Sequence, residues 1–268
     1  MPRARAAAWI ALLLWGTGSS AGAQSDPFPD LAAAYLVKAG SAVLWERAAA
    51  KRLPPASLTK LMTALLVSET YDPRAVVTVR RAAAAETGTR LRLRPGERLR
   101  TADLLAATLI ASANDACHAL ADHVAGSESR FVSLMNRRAR EWGLRDTHFV
   151  NACGHDAPGH YSSARDIAAL AERAVALPAL AQLVATAAAD IATADGAKQF
   201  RLVNSNALIG RYPGAVGIKS GYTPGAGKCL VALAQRGGRR VLLVLLNASD
   251  RWWGATDTLD LAFERYPS

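Results

Sequence analysis

Acidic, aromatic and sulfur-containing side chains are all scarce in this 268-residue chain. With 22 acidic against 32 basic residues, its formal net charge is +10 at pH 7, which favours anionic surroundings without identifying them. Aromatic residues make up only 6%, and neither an aromatic RNA-binding motif nor zinc-finger spacing accompanies the charge. The three cysteines are too few for a disulfide framework and leave at least one thiol unpaired within the chain.

Hydrophobic residues, by contrast, make up 51% of the sequence, which allows a sizeable core and excludes a disordered or collagen-like chain.

The start of the chain has two arginines, an apolar run over residues 6–15 and an A-x-A cleavage site ending at Ala23. That run is shorter than the roughly 20 apolar residues of a membrane span. We therefore expect a cleaved export signal over residues 1–23, one mature domain over residues 24–268, and a periplasmic or secreted protein.

Hydrophobic periodicity predicts strands near both ends of the mature chain and helices between them. Two alternating runs separated by Gly40 predict a β-hairpin, over residues 33–38 and 42–46. A buried helix should begin near Ser57, because leucines and a methionine recur there at helical spacing. An arginine-rich, strand-like excursion over residues 76–100 leads to a helix that Thr101 should cap. That helix should extend over residues 101–110. Further helices are predicted over residues 115–124 and 127–142, and from Ser163 onward.

The last third of the sequence changes to the period of strands. Three strands are predicted, the last two as a hairpin, over residues 215–220, 228–234 and 240–247. Cys229 lies in the second of them and is expected to be a small core residue. A helix over residues 252–265 follows. Because strands at both ends enclose a helical middle, the sequence predicts an α/β (α+β) fold in which helices pack against one antiparallel sheet.

Ser57 and Lys60 are three residues apart at the start of the first predicted helix. This spacing places both side chains on one helix face, so the Lys60 amine can reach the Ser57 hydroxyl. A serine hydroxyl is a weak nucleophile without an adjacent base, and lysine acts as that base only when its ammonium form is destabilised. An apolar setting and the second cation, Lys219, would have this effect. Taken alone, such a pair is more often a capping serine beside a solvated lysine.

A Ser-Ala-Asn motif at residues 112–114 stands just before another predicted helix. There the Ser112 hydroxyl can relay a proton, and the Asn114 amide can hold Lys60 or the substrate backbone. A helix cap would explain the same two residues equally well, so this motif is weak by itself.

The third motif, Lys219-Ser220-Gly221, lies on a predicted strand. An edge strand can pair with an extended peptide while a cation and a hydroxyl face a terminal carboxylate. A polar strand end before a turn is the alternative for this triplet alone. The occurrence of all three motifs in this order, on a helix, a helix start and a strand, predicts a serine acyl-transfer site.

These motifs resemble those of the low-molecular-mass penicillin-binding proteins that form the D-alanyl-D-alanine carboxypeptidase family of serine peptidases. The resemblance extends over nearly the whole mature chain, including residues 43–47, 55–63, 93–96, 112–116, 146–149, 156–166 and 217–223. It implies a β-lactamase/transpeptidase-like fold, an antiparallel sheet flanked by helices with a helical lobe, and no metal or other cofactor. It also implies that the protein removes the terminal D-alanine from peptidoglycan stem peptides and is covalently inhibited by β-lactams. Nucleic acid is not among the expected partners.

The resemblance further implies a role for each residue on the helical side of the site. Ser57 would be the nucleophile that forms an acyl-enzyme with the penultimate D-alanine. Lys60 would be its general base, with Ser112 and Asn114 as the proton-relay and positioning pair.

On the strand side, the resemblance implies that Lys219 and Ser220 bind the terminal carboxylate of the substrate. Gly221 would let the substrate backbone approach closely, and the backbone N–H groups of Ser57 and Tyr222 would form the oxyanion hole. The family more often has threonine where this chain has Ser220, a change that keeps the hydroxyl.

The end of the chain leaves the branch of the family open. Ser268 follows the terminal helix directly, so the C-terminal β-domain and amphipathic membrane anchor of many family carboxypeptidases are expected to be missing. This compact form also resembles the endopeptidases that cut D-alanyl cross-links, although residues 112–116 and 156–159 look more like the carboxypeptidases. A penicillin-binding sensor that acylates without turnover is a third reading.

Two other enzyme classes fit the sequence less well. A class A β-lactamase needs a Glu-x-x-x-Asn motif, and no asparagine stands four residues after Glu128, Glu141 or Glu172. A zinc peptidase would need a helical pair such as H-E-x-x-H, whereas His118 and His123 are five residues apart. The histidines are therefore expected to be surface and loop residues.

Overall fold

Strands from both ends of the chain form one antiparallel sheet, as the sequence predicts. The structure is a computed structural model that describes residues 26–70 and 72–266, so the expected export signal lies outside the described residues. The strands are β1 (Ala32–Ala39), β2 (Ala42–Arg47), β3 (Val76–Thr78), β4 (Arg98–Arg100), β5 (Ala188–Ala192), β6 (Gln199–Val203), β7 (Ala215–Thr223), β8 (Gly227–Arg236) and β9 (Arg239–Ala248). Five of them form the main sheet in the order β2-β1-β9-β8-β7, and β3-β4 and β5-β6 form two small sheets. Strand β7, which carries Lys219, is therefore an edge strand.

Helices cover both faces of the main sheet. They are α1 (Lys60–Glu69), α2 (Arg81–Ala84), α3 (Thr101–Leu109), α4 (Asn114–Ala125), α5 (Glu128–Glu141), α6 (Ala164–Ala176), α7 (Pro178–Ala185) and α8 (Trp253–Arg265). Alternate residues of β8 enter two separate cores, Val231 on the face covered by α1 and α6 and Leu230 on the face covered by α8. Because successive side chains of a strand point to opposite faces and helices cover both faces, both sets of side chains in β8 are apolar.

Most of the predicted helix ends are found in the structure, with one correction. Ser127 and Ser163 cap α5 and α6 by accepting hydrogen bonds from backbone N–H groups three residues later. Thr101 is instead the first residue of α3, and its hydroxyl donates to the carbonyl of Asp72 rather than capping the helix. The short helices α2 and α7 and the small β5-β6 hairpin were not predicted.

The cysteines pair in a way that their number alone does not reveal. Cys117 on α4 and Cys153 in the loop before α6 form a disulfide with their Cα atoms 6.0 Å apart. Cys229 is free and buried in β8, as expected, and burial raises the pKa of its thiol to about 11. The disulfide cross-links two segments of the helical lobe.

The described helices are short compared with the roughly 20 residues that a membrane span needs. No single helix within residues 26–70 and 72–266 is long and apolar enough to cross a membrane. Helices α6 and α7 meet the length and composition criteria only as a pair, bent by 105° between them.

Candidate active site

Ser57 and Lys60 lie together at the start of the first long helix. Ser57 is in a 3-10 turn over Ala56–Thr59 that leads directly into α1, and Lys60 is the first residue of that helix. The Lys60 Nζ atom is 3.0 Å from Ser57 Oγ, 2.7 Å from Asn114 Oδ1 and 2.6 Å from the carbonyl oxygen of Cys153. The lysine side chain is fully buried. Thus the structure brings the predicted nucleophile, base and amide into one hydrogen-bonded cluster.

Burial controls the protonation of Lys60. Loss of water around the ammonium lowers the pKa of Lys60 to about 7, while the negative charge of Glu86 acts in the opposite direction. The pKa of Lys219 lies well below its usual range, mainly because the side chain is buried. Repulsion from the positive charges of Lys60 and Arg251 lowers it further. An amine with a pKa near 7 is substantially neutral at neutral pH and can accept a proton.

The two residues of the Ser-Ala-Asn motif are placed differently. Asn114 accepts a hydrogen bond from Lys60, and its Nδ2 atom donates to the carbonyl of Thr87 at 2.6 Å, so the amide is held from both ends. Ser112 is buried and has a φ of 62°, which is unusual for a residue other than glycine. Within the described residues its hydroxyl makes no hydrogen bond, so Ser112 is not part of the hydrogen-bonded cluster around Lys60.

The strand side of the site consists of a buried lysine and two serines that are hydrogen-bonded to each other. Lys219 Nζ is 2.9 Å from the carbonyl oxygen of Ser220 and 3.4 Å from Ser205 Oγ. Ser220 Oγ is 2.9 Å from the carbonyl oxygen and 3.1 Å from the hydroxyl of Ser205. Ser205 comes from the loop after β6 and was not singled out in the sequence, because nothing in its local pattern indicates the long-range contact.

Arg251 is a second residue that the sequence analysis missed. It follows β9, and its Nη1 atom donates to the carbonyl of Gly221 at 2.5 Å. Its Nε atom is buried without a hydrogen-bond partner. No carboxylate among residues 26–70 and 72–266 forms an ion pair with Arg251 or Lys219. This side of the site therefore has two basic side chains without an ion-pair partner among the described residues.

Gly221 allows strand β7 to lie directly against the turn that carries the serine. A Cβ atom at this position would be 2.9 Å from the backbone nitrogen of Ser57 and 3.0 Å from Ala56 Cβ. Any larger side chain would push the strand away from the nucleophile. Tyr222, the next residue, is 62% exposed and faces the open cleft.

A cleft of about 510 Å³ lies beside Ser57, and its lining does not include Lys219, Ser220 or Arg251. Asp156 closes one part of it by accepting hydrogen bonds from Thr223 Oγ1 at 2.6 Å and from the backbone N–H of Gly225 at 2.8 Å. The lining residues are Ser57, Gly88, Thr89, Asn114, Cys153, Gly154, His155, Asp156, Tyr222, Thr223 and Pro224. The cleft thus opens onto Ser57 from both the helical lobe and the end of β7.

Two of the five histidines differ from their expected surface positions, whereas His123 and His148 are exposed and His155 is partly exposed. His118 and His160 are both buried. Val150 N–H donates to His160 Nδ1, so Nε2 carries the proton and donates to Thr59 Oγ1, 2.9 Å away; burial lowers the pKa of His160 to about 4. His118 lies close to Glu86 and Glu128. Each of these three residues has one atom that could bind a metal ion, and the three atoms lie within 4.8 Å of one another. His118 and Glu86 are already hydrogen-bonded to each other.

Comparison with known proteins agrees with this geometry. The family model described as D-alanyl-D-alanine carboxypeptidase, Peptidase S11, matches residues 24–250. The chain belongs to this family of serine peptidases. It is 39% identical over 232 residues to the D-alanyl-D-alanine carboxypeptidase DacF of Bacillus subtilis, covering 84% of this chain and 59% of that protein. For DacC of Escherichia coli the identity is 38%, covering 78% and 54%. The chain thus spans between half and two thirds of these two relatives.

Solved structures of this family confirm the expected fold. A D-alanyl-D-alanine carboxypeptidase from Mycobacterium tuberculosis superimposes with a TM-score of 0.84 at 30% identity, covering 92% of this chain and 96% of that one. The Streptomyces K15 DD-transpeptidase gives a TM-score of 0.83 at 28% identity, covering 90% and 100%. The antiparallel sheet with its helical lobe is therefore the penicillin-binding peptidase fold.

Proposed function

We propose that this protein is a serine-type D-Ala-D-Ala carboxypeptidase that removes the terminal D-alanine from peptidoglycan stem peptides. The observation that carries the proposal is the arrangement of oxygen atoms around Lys60 Nζ. A neutral amine has two N–H bonds and one lone pair. Asn114 Oδ1 and the Cys153 carbonyl can only accept hydrogen bonds, and they lie at 2.7 and 2.6 Å. They use both N–H bonds, so the lone pair faces the Ser57 hydroxyl at 3.0 Å.

This arrangement supports an acyl-enzyme mechanism. Ser57 Oγ attacks the carbonyl carbon of the penultimate D-alanine while its proton passes to Lys60. The C–N bond then breaks, and the departing D-alanine amine takes a proton that Lys60 returns, with Ser112 as the proposed relay. Water next attacks the carbonyl carbon of the Ser57 ester and gives a proton to Lys60. The bond from that carbon to Ser57 Oγ then breaks, Lys60 returns the proton to the serine oxygen, and the shortened peptide leaves with a new terminal carboxyl group. A β-lactam would acylate the same oxygen.

The strand side supplies recognition in this proposal. The terminal carboxylate binds to Lys219 and the Ser220 hydroxyl, and Arg251 adds a second positive charge, whose Nε atom has no hydrogen-bond partner. Charge-assisted hydrogen bonds of this kind are stronger than neutral ones. Backbone N–H groups of Ser57 and Tyr222 form the proposed oxyanion hole, which the close approach at Gly221 keeps near the nucleophile.

The proposed cellular setting follows from the substrate. Peptidoglycan lies outside the cytoplasm, so residues 1–23 serve as a cleaved export signal and residues 24–268 form the catalytic domain. Mass spectrometry of the exported protein tests this assignment, because cleavage after Ala23 leaves Gln24 as the first residue. A product that retains residues 1–23 contradicts it.

The decisive experiment measures D-alanine release by residues 24–268 from a soluble pentapeptide that ends in D-Ala-D-Ala. The matched control is Ser57→Ala, which removes only the hydroxyl. We expect release by the native chain and none by the variant. Cleavage of cross-linked muropeptide dimers alone would assign the protein to the endopeptidases. Labelling by a fluorescent penicillin without turnover of either substrate would indicate a sensor.

A further inference from the structure

A second cluster of charged side chains lies next to the cleft, centred on Glu86. One carboxylate oxygen of Glu86 is 2.6 Å from His118 Nδ1, and the other is 2.6 Å from His155 Nε2. The Glu86 side chain is only 11% exposed. Both oxygens of a nearly buried carboxylate are therefore held by imidazole groups from different parts of the chain.

Glu86 joins two segments of the cleft lining. It directly precedes residues 87–89, of which Gly88 and Thr89 line the cleft, whereas His155 belongs to the lining segment over residues 153–156. The carbonyl of Thr87 accepts from Asn114 Nδ2 at 2.6 Å, and the carbonyl of Thr89 accepts from the Asn114 backbone N–H at 2.8 Å. Gly88 leaves little room, because a Cβ atom there would be 3.1 Å from Asn114 Nδ2.

The position of Asn114 is thereby linked to that of Glu86. Asn114 is the residue that accepts the hydrogen bond from Lys60. A displacement of residues 87–89 would move the amide, and with it the direction of the Lys60 lone pair. The chain of contacts is continuous from the histidines to the base.

The charges in the cluster also favour an ionised Glu86. Burial alone would raise the pKa of Glu86, but the hydrogen bonds from His118 and His155 lower it to about 2. Burial likewise opposes protonation of His118, yet Glu86, Glu128 and Asp122 together raise its pKa. The negative charge of Glu86 raises the pKa of Lys60. The positive charges of Lys60 and Arg251 lower the pKa of Lys219.

We propose that Glu86 is a positioning residue of the proposed reaction. Held by His118 and His155, it keeps residues 87–89 and the Asn114 amide in register with Lys60. Its negative charge also stabilises the Lys60 ammonium that forms when Ser57 gives up its proton. This inference rests on the proposed function, since it assigns Glu86 to the same acylation step.

The test compares Glu86→Gln with Glu86→Ala and the native chain by the rate of acylation with a fluorescent penicillin between pH 5 and 9. Glu97→Gln is the matched control, because Glu97 lies in the same excursion but pairs with Lys198, 3.3 Å away. In Glu86→Gln we expect the midpoint of the acidic limb to move to lower pH by about half a unit, because Lys60 loses a stabilising negative charge. In Glu86→Ala, which also loses the contacts with both histidines, we expect the plateau rate to fall about tenfold.

The outcomes separate this inference from the proposed function. A Glu86→Gln profile that coincides with those of the native chain and Glu97→Gln would overturn the role of Glu86. Absence of penicillin labelling at Ser57 in the native chain would overturn the proposed function itself. If the Glu86 variants do not fold, His155→Gln provides the test, because His155 is partly exposed and the variant removes one of the two imidazole contacts. We expect its plateau rate to fall severalfold at an unchanged melting temperature, and an unchanged rate would contradict the inference.

Discussion

Lys60 on the helical side of the cleft and Lys219 on the strand side are the same residue type, equally buried, in opposite chemical settings. Lys60 is surrounded by three oxygen atoms at hydrogen-bond distance and by the nearby charge of Glu86. Lys219 has a backbone carbonyl and a more distant hydroxyl, and the charges acting on it are those of Lys60 and Arg251. One lysine has its partners already, whereas the other lacks a counterion.

This difference separates the two tasks of a peptidase. A base needs a fixed direction for its lone pair and a pKa near the working pH, and three oxygen atoms set this direction for Lys60. A carboxylate receptor needs positive charge without an ion-pair partner, and in the proposed function Lys219 and Arg251 would provide it. Binding of a substrate carboxylate would supply the missing negative charge and favour the ammonium form of Lys219. The lesson is that burial alone does not define the role of a lysine.

Removing the base should give the largest effect. In Lys60→Gln the side chain can still fill the space and form hydrogen bonds, but it cannot take the Ser57 proton. We expect acylation by a fluorescent penicillin to slow by about 1,000-fold, within the usual range for general-base catalysis. Circular dichroism checks the fold of the variant. Acylation within tenfold of the native rate would show that another group serves as the base.

Removing the carboxylate receptor should give a smaller and more selective loss. For Lys219→Gln we expect kcat/KM on a D-Ala-D-Ala peptide to fall by about 10- to 100-fold, the value of a charge-assisted hydrogen bond. The same peptide with a terminal amide should be hydrolysed at similar, low rates by the native chain and the variant. Equal losses on both peptides would mean that Lys219 acts on the reaction and not on the carboxylate.

The pH dependence should distinguish the two lysines as well. In the proposed mechanism the neutral form of Lys60 is the active one, so protonation below its pKa of about 7 would remove the base. We expect the acylation rate to reach a plateau above that pH and to fall roughly tenfold for each pH unit below it. Lys219→Gln should keep a plateau and an acidic limb, because Lys60 remains. A midpoint near pH 10 would show that burial does not lower the pKa of Lys60.

The sequence predicted the elements that carry local patterns. The first hairpin, the helix after Ser57 and the three last strands have clear periods of hydrophobic residues, and the structure contains all of them. Helix α7 and the β5-β6 hairpin were not predicted, because these elements are short and their segment is rich in alanine. Its hydrophobic residues therefore show neither the period of a helix nor that of a strand. Thr101 looked like a cap, but a distant carbonyl provides a competing partner for its hydroxyl.

Contacts between distant segments limited the prediction of the site in the same way. Three short motifs identified the residues around Ser57, because serine acyl transfer needs a base and a carboxylate receptor in a recognisable order. Arg251 and the Glu86 cluster lack such motifs and reach the site only through the fold. The Cys117–Cys153 disulfide is another example, since its two cysteines are 36 residues apart.

The disulfide extends the comparison of the two sides to stability. It joins α4 to the loop whose Cys153 carbonyl binds Lys60, whereas the strand side is held by the hydrogen bonds of β7 with β8. Replacing both cysteines by serine should cost about 2–4 kcal/mol of unfolding free energy and lower the melting temperature by about 10 °C. The effect on acylation should be small, because the variant keeps the backbone carbonyl that orients Lys60.

Cys229→Ala is the matched control, since it removes a buried thiol without breaking a cross-link. A reductant should lower the melting temperature of the native chain and of Cys229→Ala, but not that of the double serine variant. Equal responses from all three would show that the stabilising contact on the helical side is not the disulfide.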